Sequence, residues 1–231
     1  MIAAIQYGSR TIDFRLEYSD RKSLGITVTS EMEVLVKAPA ETSMEKVKEK
    51  IRKKAPWIIK QQSFFLSFQP KTPKRKYING ETHLYLGRQY RLHIIIAKEE
   101  SVKLKGKFIQ VTALDKSRAK NLLDNWYLQN ARTRFHAIAT PLLDKFKKYN
   151  LQPNSIVLRY MPTRWGSCTK KGKIILNPEL VKAPKGCIEY VIIHELCHLK
   201  HHDHTQKFRD LQTKEMKDWE KWKMKLELFL A

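Results

Sequence analysis

Acidic residues are the scarce class in this chain. Its 231 residues include 23 Asp and Glu against 45 Lys and Arg, a formal net charge of +22. Such a field favours acidic partners or draws anionic substrates inward, and it says nothing about fold. It is compatible with a solvated basic surface or with a nucleic-acid face, although lysine dominates and no recognised nucleic-acid motif accompanies it. Cysteine is scarce too. Cys168, Cys187 and Cys197 are odd in number and form no C-x-x-C pair, which argues against a disulfide framework or a thiolate zinc knuckle. The opening "MIAAIQYGSRTIDFRLEY" has no charged leader, and its apolar run breaks at Gln6. It therefore predicts neither a signal peptide nor a membrane span, and the expectation is a reduced, cytoplasmic protein with no membrane partner. We find no internal repeat, no low-complexity tract and no carboxylate cluster of the kind magnesium-dependent phosphate chemistry prefers.

What is present is an ordinary apolar fraction of 42%, enough for one large domain or two small ones. From Thr11 to Lys37, "TIDFRLEY", "SLGITVTS" and "EMEVLVKA" alternate as antiparallel strands do, with turns near Ser19 to Lys22 and Ser30 to Glu31. Helical spacing follows in "SMEKVKEKIRKKAPWIIKQQSFFLSF", where Pro56 predicts a division into two helices. "QPKTPKR" reads as a loop. Strand alternation returns in "KYINGETHLYLGRQYRLHIII" and "VKLKGKFIQVTA", with turns at Asn79-Gly80 and Lys105-Gly106. Near residue 116 the pattern becomes a long helix, with Pro141 as a kink or break. "SIVLRYM" and "GKIILN" then read as strands flanking the loop "PTRWGSCTKK", and helices are expected over Ile188–Lys200 and Thr205–Leu230. The fold class is α+β. A β-rich N-terminal region with helices, residues 1–115, precedes a second domain, residues 116–231, which carries the chemistry-bearing motif described next.

The chemistry concentrates in "YVIIHELCHLKHHDH". His194 and His198 stand four apart, so on a helix both imidazoles leave one face about one turn apart and can share an ion. Glu195 is rotated about 100° from His194, beside the ion without being forced onto it. Three such groups in apolar surroundings need partners, and a zinc ion with its water would supply them. The bland alternative is a pair of core histidines bonded to backbone, with Glu195 in an ion pair. A third ligand could come from His201, His202, Asp203 or His204. His201 on a continued helix would lie about 10 Å along the axis from His194, too far to close a tetrahedral shell. Chain that turns back serves better: His202 and Asp203 tolerate a left-handed turn, Thr205 can cap the next helix, and His204 then faces the ion. His201 and His202 read instead as solvated residues at a helix end.

The loop carries a second candidate pair. Arg164 beside Trp165 could hold a carboxylate, a phosphate or a developing oxyanion, or could be a stabilising arginine packed on tryptophan; the residues favour neither. Gly166 suggests a turn or close backbone approach. Ser167 and Cys168 have no adjacent base and read as packing or hydrogen-bonding residues.

Taken together, "RWGSC", "IILNPELVKAP", "YVIIHELCHL" and "DHTQKF" resemble the YgjP-like family of metal-dependent hydrolases, a metallopeptidase family related to the SprT-like and WLM zincins. The resemblance is strong from Val157 to Phe208 and extends more weakly to "RKSLGITV", the Pro56-Trp57 pair and "YLGRQYRL". It implies a zincin-like domain with an HExxH active-site helix, His194, His198 and His204 as metal ligands, Glu195 as general base and Arg164 to Cys168 as a signature loop. The family usually has Asn-His-Ser and a Phe-Trp pair where this chain has Asp203-His204-Thr205 and Phe208-Arg209.

The expected function is a zinc-dependent hydrolase of metallopeptidase type acting on peptide or protein, with nickel or cobalt as substitute metals and the strand at "KIILN" pairing with an extended substrate at its edge. Arg164 and the net charge also suit acidic or phosphate-bearing substrates. Hence two alternatives: a hydrolase of nucleotide phosphoanhydrides, and a basic nucleic-acid-binding module with a structural metal.

Overall fold

A computed structural model describes the chain except residues 9, 30, 67–74, 162, 163 and 231, and the side chains of 64–66, 229 and 230. Ser30 of one expected turn and most of the expected "QPKTPKR" loop lie outside the described residues. The chain forms two compact units, residues 1–73 and 74–230.

In the first unit, strands β1 (Ile2–Tyr7), β2 (Arg10–Tyr18), β3 (Gly25–Val28) and β4 (Val34–Ala38) form a sheet in the order β1-β2-β4-β3. Pairing is antiparallel except between β2 and β4. Alternation places Ile12, Phe14 and Leu16 of β2 on the buried face. Helix α1 (Met44–Leu66) covers them with Val47, Ile51, Ala55 and Ile58, three and four residues apart. The expected break at Pro56 does not occur, because buried residues on both sides of it belong to one core while Pro56 itself faces outward.

The second unit begins with the same arrangement. Strands β5 (Thr82–Tyr85), β6 (Arg88–Ile96), β7 (Ser101–Lys105) and β8 (Phe108–Ala113) form a sheet in the order β5-β6-β8-β7, with β6 and β8 parallel. The registers correspond: Phe14 pairs with Val34 and Leu92 with Ile109, while the amides of Ser19 and Ala97 bond the carbonyls of Ala38 and Ala113, both at 3.0 Å. In each unit a helix follows, at Met44 and at Ala119. The chain therefore contains a structural repeat that its sequence does not display.

Helix α2 (Ala119–Phe146) runs through Pro141 without a break and buries Leu123, Tyr127, Ala131 and Phe135. The hydroxyl of Tyr127 donates to the carbonyl of Leu84, and that of Tyr85 to Asn130 Oδ1, both at 2.8 Å. A boundary at residue 116 would thus cut through one continuous core; the compact units divide at residues 73 and 74 instead.

Beyond α2, β9 (Ser155–Leu158), β10 (Gly166–Cys168) and β11 (Lys173–Leu176) form a sheet in the order β10-β11-β9. The strand at "KIIL" is central, paired on both sides, so it has no free edge for a substrate. The expected loop before it contains an edge strand, β10. A 3-10 turn (Pro178–Lys182) leads to α3 (Lys185–His198), apolar nearly all round and buried. The expected last helix is two, α4 (Gln206–Glu215) and α5 (Trp219–Leu230), because Met216 is extended, with φ −148° and ψ 94°. Trp222 of α5 lies flat over Gly186, where a Cβ would stand 2.5 Å from the ring. Among the described residues no helix is long and apolar enough to cross a membrane.

Candidate metal centre

Helix α3 presents His194 and His198 on one face, and the chain returns to them after only a few residues. The amide of His201 bonds the carbonyl of Cys197 at 3.0 Å, that of Thr205 bonds Asp203 at 2.8 Å, and α4 begins. No left-handed residue is used at His202 or Asp203, and Thr205 occupies the N-cap position without a side-chain capping bond; the turn is closed by backbone hydrogen bonds instead. It brings His204 to the other two. One ring nitrogen each of His194, His198 and His204 lies within 4.8 Å of the others, and Nε2 of His194 and of His204 are 3.1 Å apart. His201 is outside the cluster and contributes its carbonyl; His202 and Asp203 line the cleft wall.

Each helical imidazole is oriented by an acceptor. His194 Nδ1–H donates to Gln212 Oε1 at 2.9 Å, and His198 Nδ1–H to the His201 carbonyl at 3.1 Å. Both acceptors lack a proton, so both rings turn an Nε2 lone pair toward the cluster. Burial holds both imidazoles below the ordinary histidine pKa, His194 at about 4 with help from neighbouring His198. They are neutral at pH 7. Beneath them Phe208, 2% exposed, has its ring centroid 5.0, 4.6 and 4.8 Å from those of His194, His198 and His204.

Glu195 is 5% exposed, and its Oε2 has no hydrogen-bond partner. Burial raises its pKa to about 8, against the pull of Arg164 and of a hydrogen bond from the Cys168 backbone. Gly166 passes so close that a Cβ there would meet Glu195 Oε1 at 2.6 Å, the close backbone approach that a glycine in this loop suggests. The cleft measures about 850 Å³, and its lining includes Arg164, Gly166, Lys170, Glu195 and the three histidines. Trp165 does not line it. That ring packs against the core, and the Trp165 carbonyl accepts from the Asn177 amide.

The donor set fits a transition metal. Three imidazoles converge, an orphaned buried carboxylate oxygen stands beside them, and the 3.1 Å between two facing Nε2 atoms is close to the roughly 3.3 Å that tetrahedral coordination at about 2.0–2.1 Å imposes. Three residues of the site escape pattern reading: Gln212, Phe208 and Asn177. Asn177 is 3% exposed, and its amide group donates to the carbonyls of Met161 and Arg164 at 2.9 and 3.0 Å, holding the Arg164 loop. Its place before Pro178 signals a helical cap and nothing of this second task.

A family model for the YgjP-like metallopeptidase domain matches residues 22–228. The chain belongs to this YgjP-like family. The match reaches into both compact units and takes in β3, β4 and α1, while β1 and β2 lie before it. Comparison with curated proteins found no match.

Proposed function

We propose that the chain is a zinc-dependent peptidase of zincin type, with His194, His198 and His204 holding the ion and Glu195 as general base. The observation that carries this reading is the convergence of three imidazoles on a cleft that also contains a buried carboxyl group with one unpartnered oxygen. Zinc, when bound, polarises a carbonyl and acidifies water. With the charge of a bound ion nearby favouring its ionised form, Glu195 would take the proton of the water that attacks the scissile carbon and pass it to the departing amine as the C–N bond breaks. Arg164 and Lys170, on the cleft wall, bind acidic groups of the substrate. Strand β10, paired only with β11 among the described strands, offers its outer edge to an extended peptide.

The same two cations favour one other reading, hydrolysis of nucleotide phosphoanhydrides. Zinc-loaded protein incubated with peptide and nucleoside-triphosphate panels separates them. Peptide cleavage is expected, lowered about 10² to 10⁴-fold in Glu195→Gln with zinc retained. Turnover of triphosphates without peptides would overturn the peptidase assignment.

A further inference from the structure

The outward face of α1 is built differently from the other surfaces described above. Val47, Ile51, Ala55 and Ile58 face the core of the first unit. On the opposite side Lys46, Lys50, Lys53, Trp57 and Lys60 recur every three or four residues, with Lys54 beside them, all exposed. Trp57 retains 42% of its surface in solvent. Of the two acids in α1, Glu49 pairs with Lys53 at 2.6 Å and Glu45 sits in the first turn.

This pattern runs against helix stability. In the first turn Glu45 suits the macrodipole and Lys46 beside it opposes it, and Lys46, Lys50 and Lys54 are like charges at i,i+4. A face selected only for solubility would intersperse acids. The lysines span about 21 Å of axis, long enough to follow several consecutive phosphates. Lysine ammoniums neutralise phosphates, and an exposed indole among them offers a stacking surface that only an unpaired base can use. An anionic membrane fits less well, because an interfacial helix needs a free apolar stripe and that of α1 is consumed by the core.

We propose that this face of α1 binds single-stranded nucleic acid, the lysines on the phosphates and Trp57 stacked on a base. The inference is independent of the metal centre, since the assay reads binding and not turnover. Anisotropy of a labelled oligothymidylate of about 12 nucleotides, titrated with the full chain across a salt series, tests it. Replacing Lys50, Lys53 and Lys54 together by Gln should reduce the slope of log K against log salt by about 2, the value for three phosphate contacts on a single strand. Trp57→Ala should weaken binding roughly tenfold with the slope unchanged, and Trp57→Phe should restore most of it. Circular dichroism checks that each variant is folded. An unchanged slope in the triple variant, no effect of Trp57→Ala, equal affinity for duplex, or binding to anionic vesicles but not to the oligonucleotide would each overturn the proposal.

Discussion

Gly166 and Glu195 come from different elements, yet a Cβ on the first would stand 2.6 Å from a carboxylate oxygen of the second. Strand β10 and helix α3 are thus fitted at backbone contact where the general base is proposed to act. Gly166→Ala should push the carboxylate aside while leaving the three imidazoles in place. The expected result is unchanged zinc stoichiometry and a loss of about 10² in kcat, the scale of a misplacement of about 1 Å. Kinetics with metal analysis on the same preparation checks it, and full activity would place the base elsewhere.

The assignment of His204 as third ligand separates from its neighbours by mutation. Protein prepared without chelators should carry about one equivalent of zinc, and His204→Ala should lose most of it. His201→Ala should retain it, because this residue contributes only a backbone carbonyl to the site, and so should His202→Ala, which lies outside the cluster. Chelator competition ranks the variants; retention in His204→Ala with loss in His201→Ala would refute the ligand set.

Gln212 is 1% exposed and accepts from His194 Nδ1. Gln212→Ala leaves that donor unpaired and the ring free to rotate. Zinc affinity should fall about 10- to 100-fold, as for other partners that orient ligand histidines. Gln212→Glu, which keeps an acceptor, should retain far more, whereas a merely packing role would leave the two variants alike.

Glu215, buried at the end of α4, has Lys145 and Lys148 3.2 and 2.9 Å from its carboxylate oxygens and accepts from Tyr149. Burial would raise its pKa, but Tyr149, Lys148 and Lys145 together hold it below the ordinary carboxylate value. A depressed folded pKa means that this stabilisation is complete above the unfolded value near 4.5 and is lost as pH falls through the folded value. Glu215→Gln should therefore cost about 1–2 kcal/mol at pH 7 and progressively less below pH about 4. Urea unfolding at both pH values measures this, and a pH-independent difference would contradict it.

Local pattern sufficed where the geometry of the proposed site rests on local spacing. His194 and His198 share a face because a helix repeats every 3.6 residues, and α+β class followed from runs of alternation beside runs of helical period. Convergence of His204 was legible because geometry ruled out His201 on a straight helix, although the turn that delivers His204 uses no left-handed residue. Pairing partners are another matter. The two sheets share strand order and register while their side chains differ, with His83 opposite Tyr90 in one where Ile5 faces Ile12 in the other, so no repeat shows in the residue string. The strand at "KIIL" was expected at an edge because nothing in its residues reports that β9 and β10 flank it. Pro56 and Pro141 lie within continuous helices since burial on either side outweighs one missing backbone donor. Gln212 and Asn177 reach the site from 18 and 13 positions away, the distances to His194 and Arg164 along the chain. Periodicity reports which face of an element is apolar; what that face meets, and which distant polar group completes a site, depends on packing between elements and was decided only by the tertiary structure.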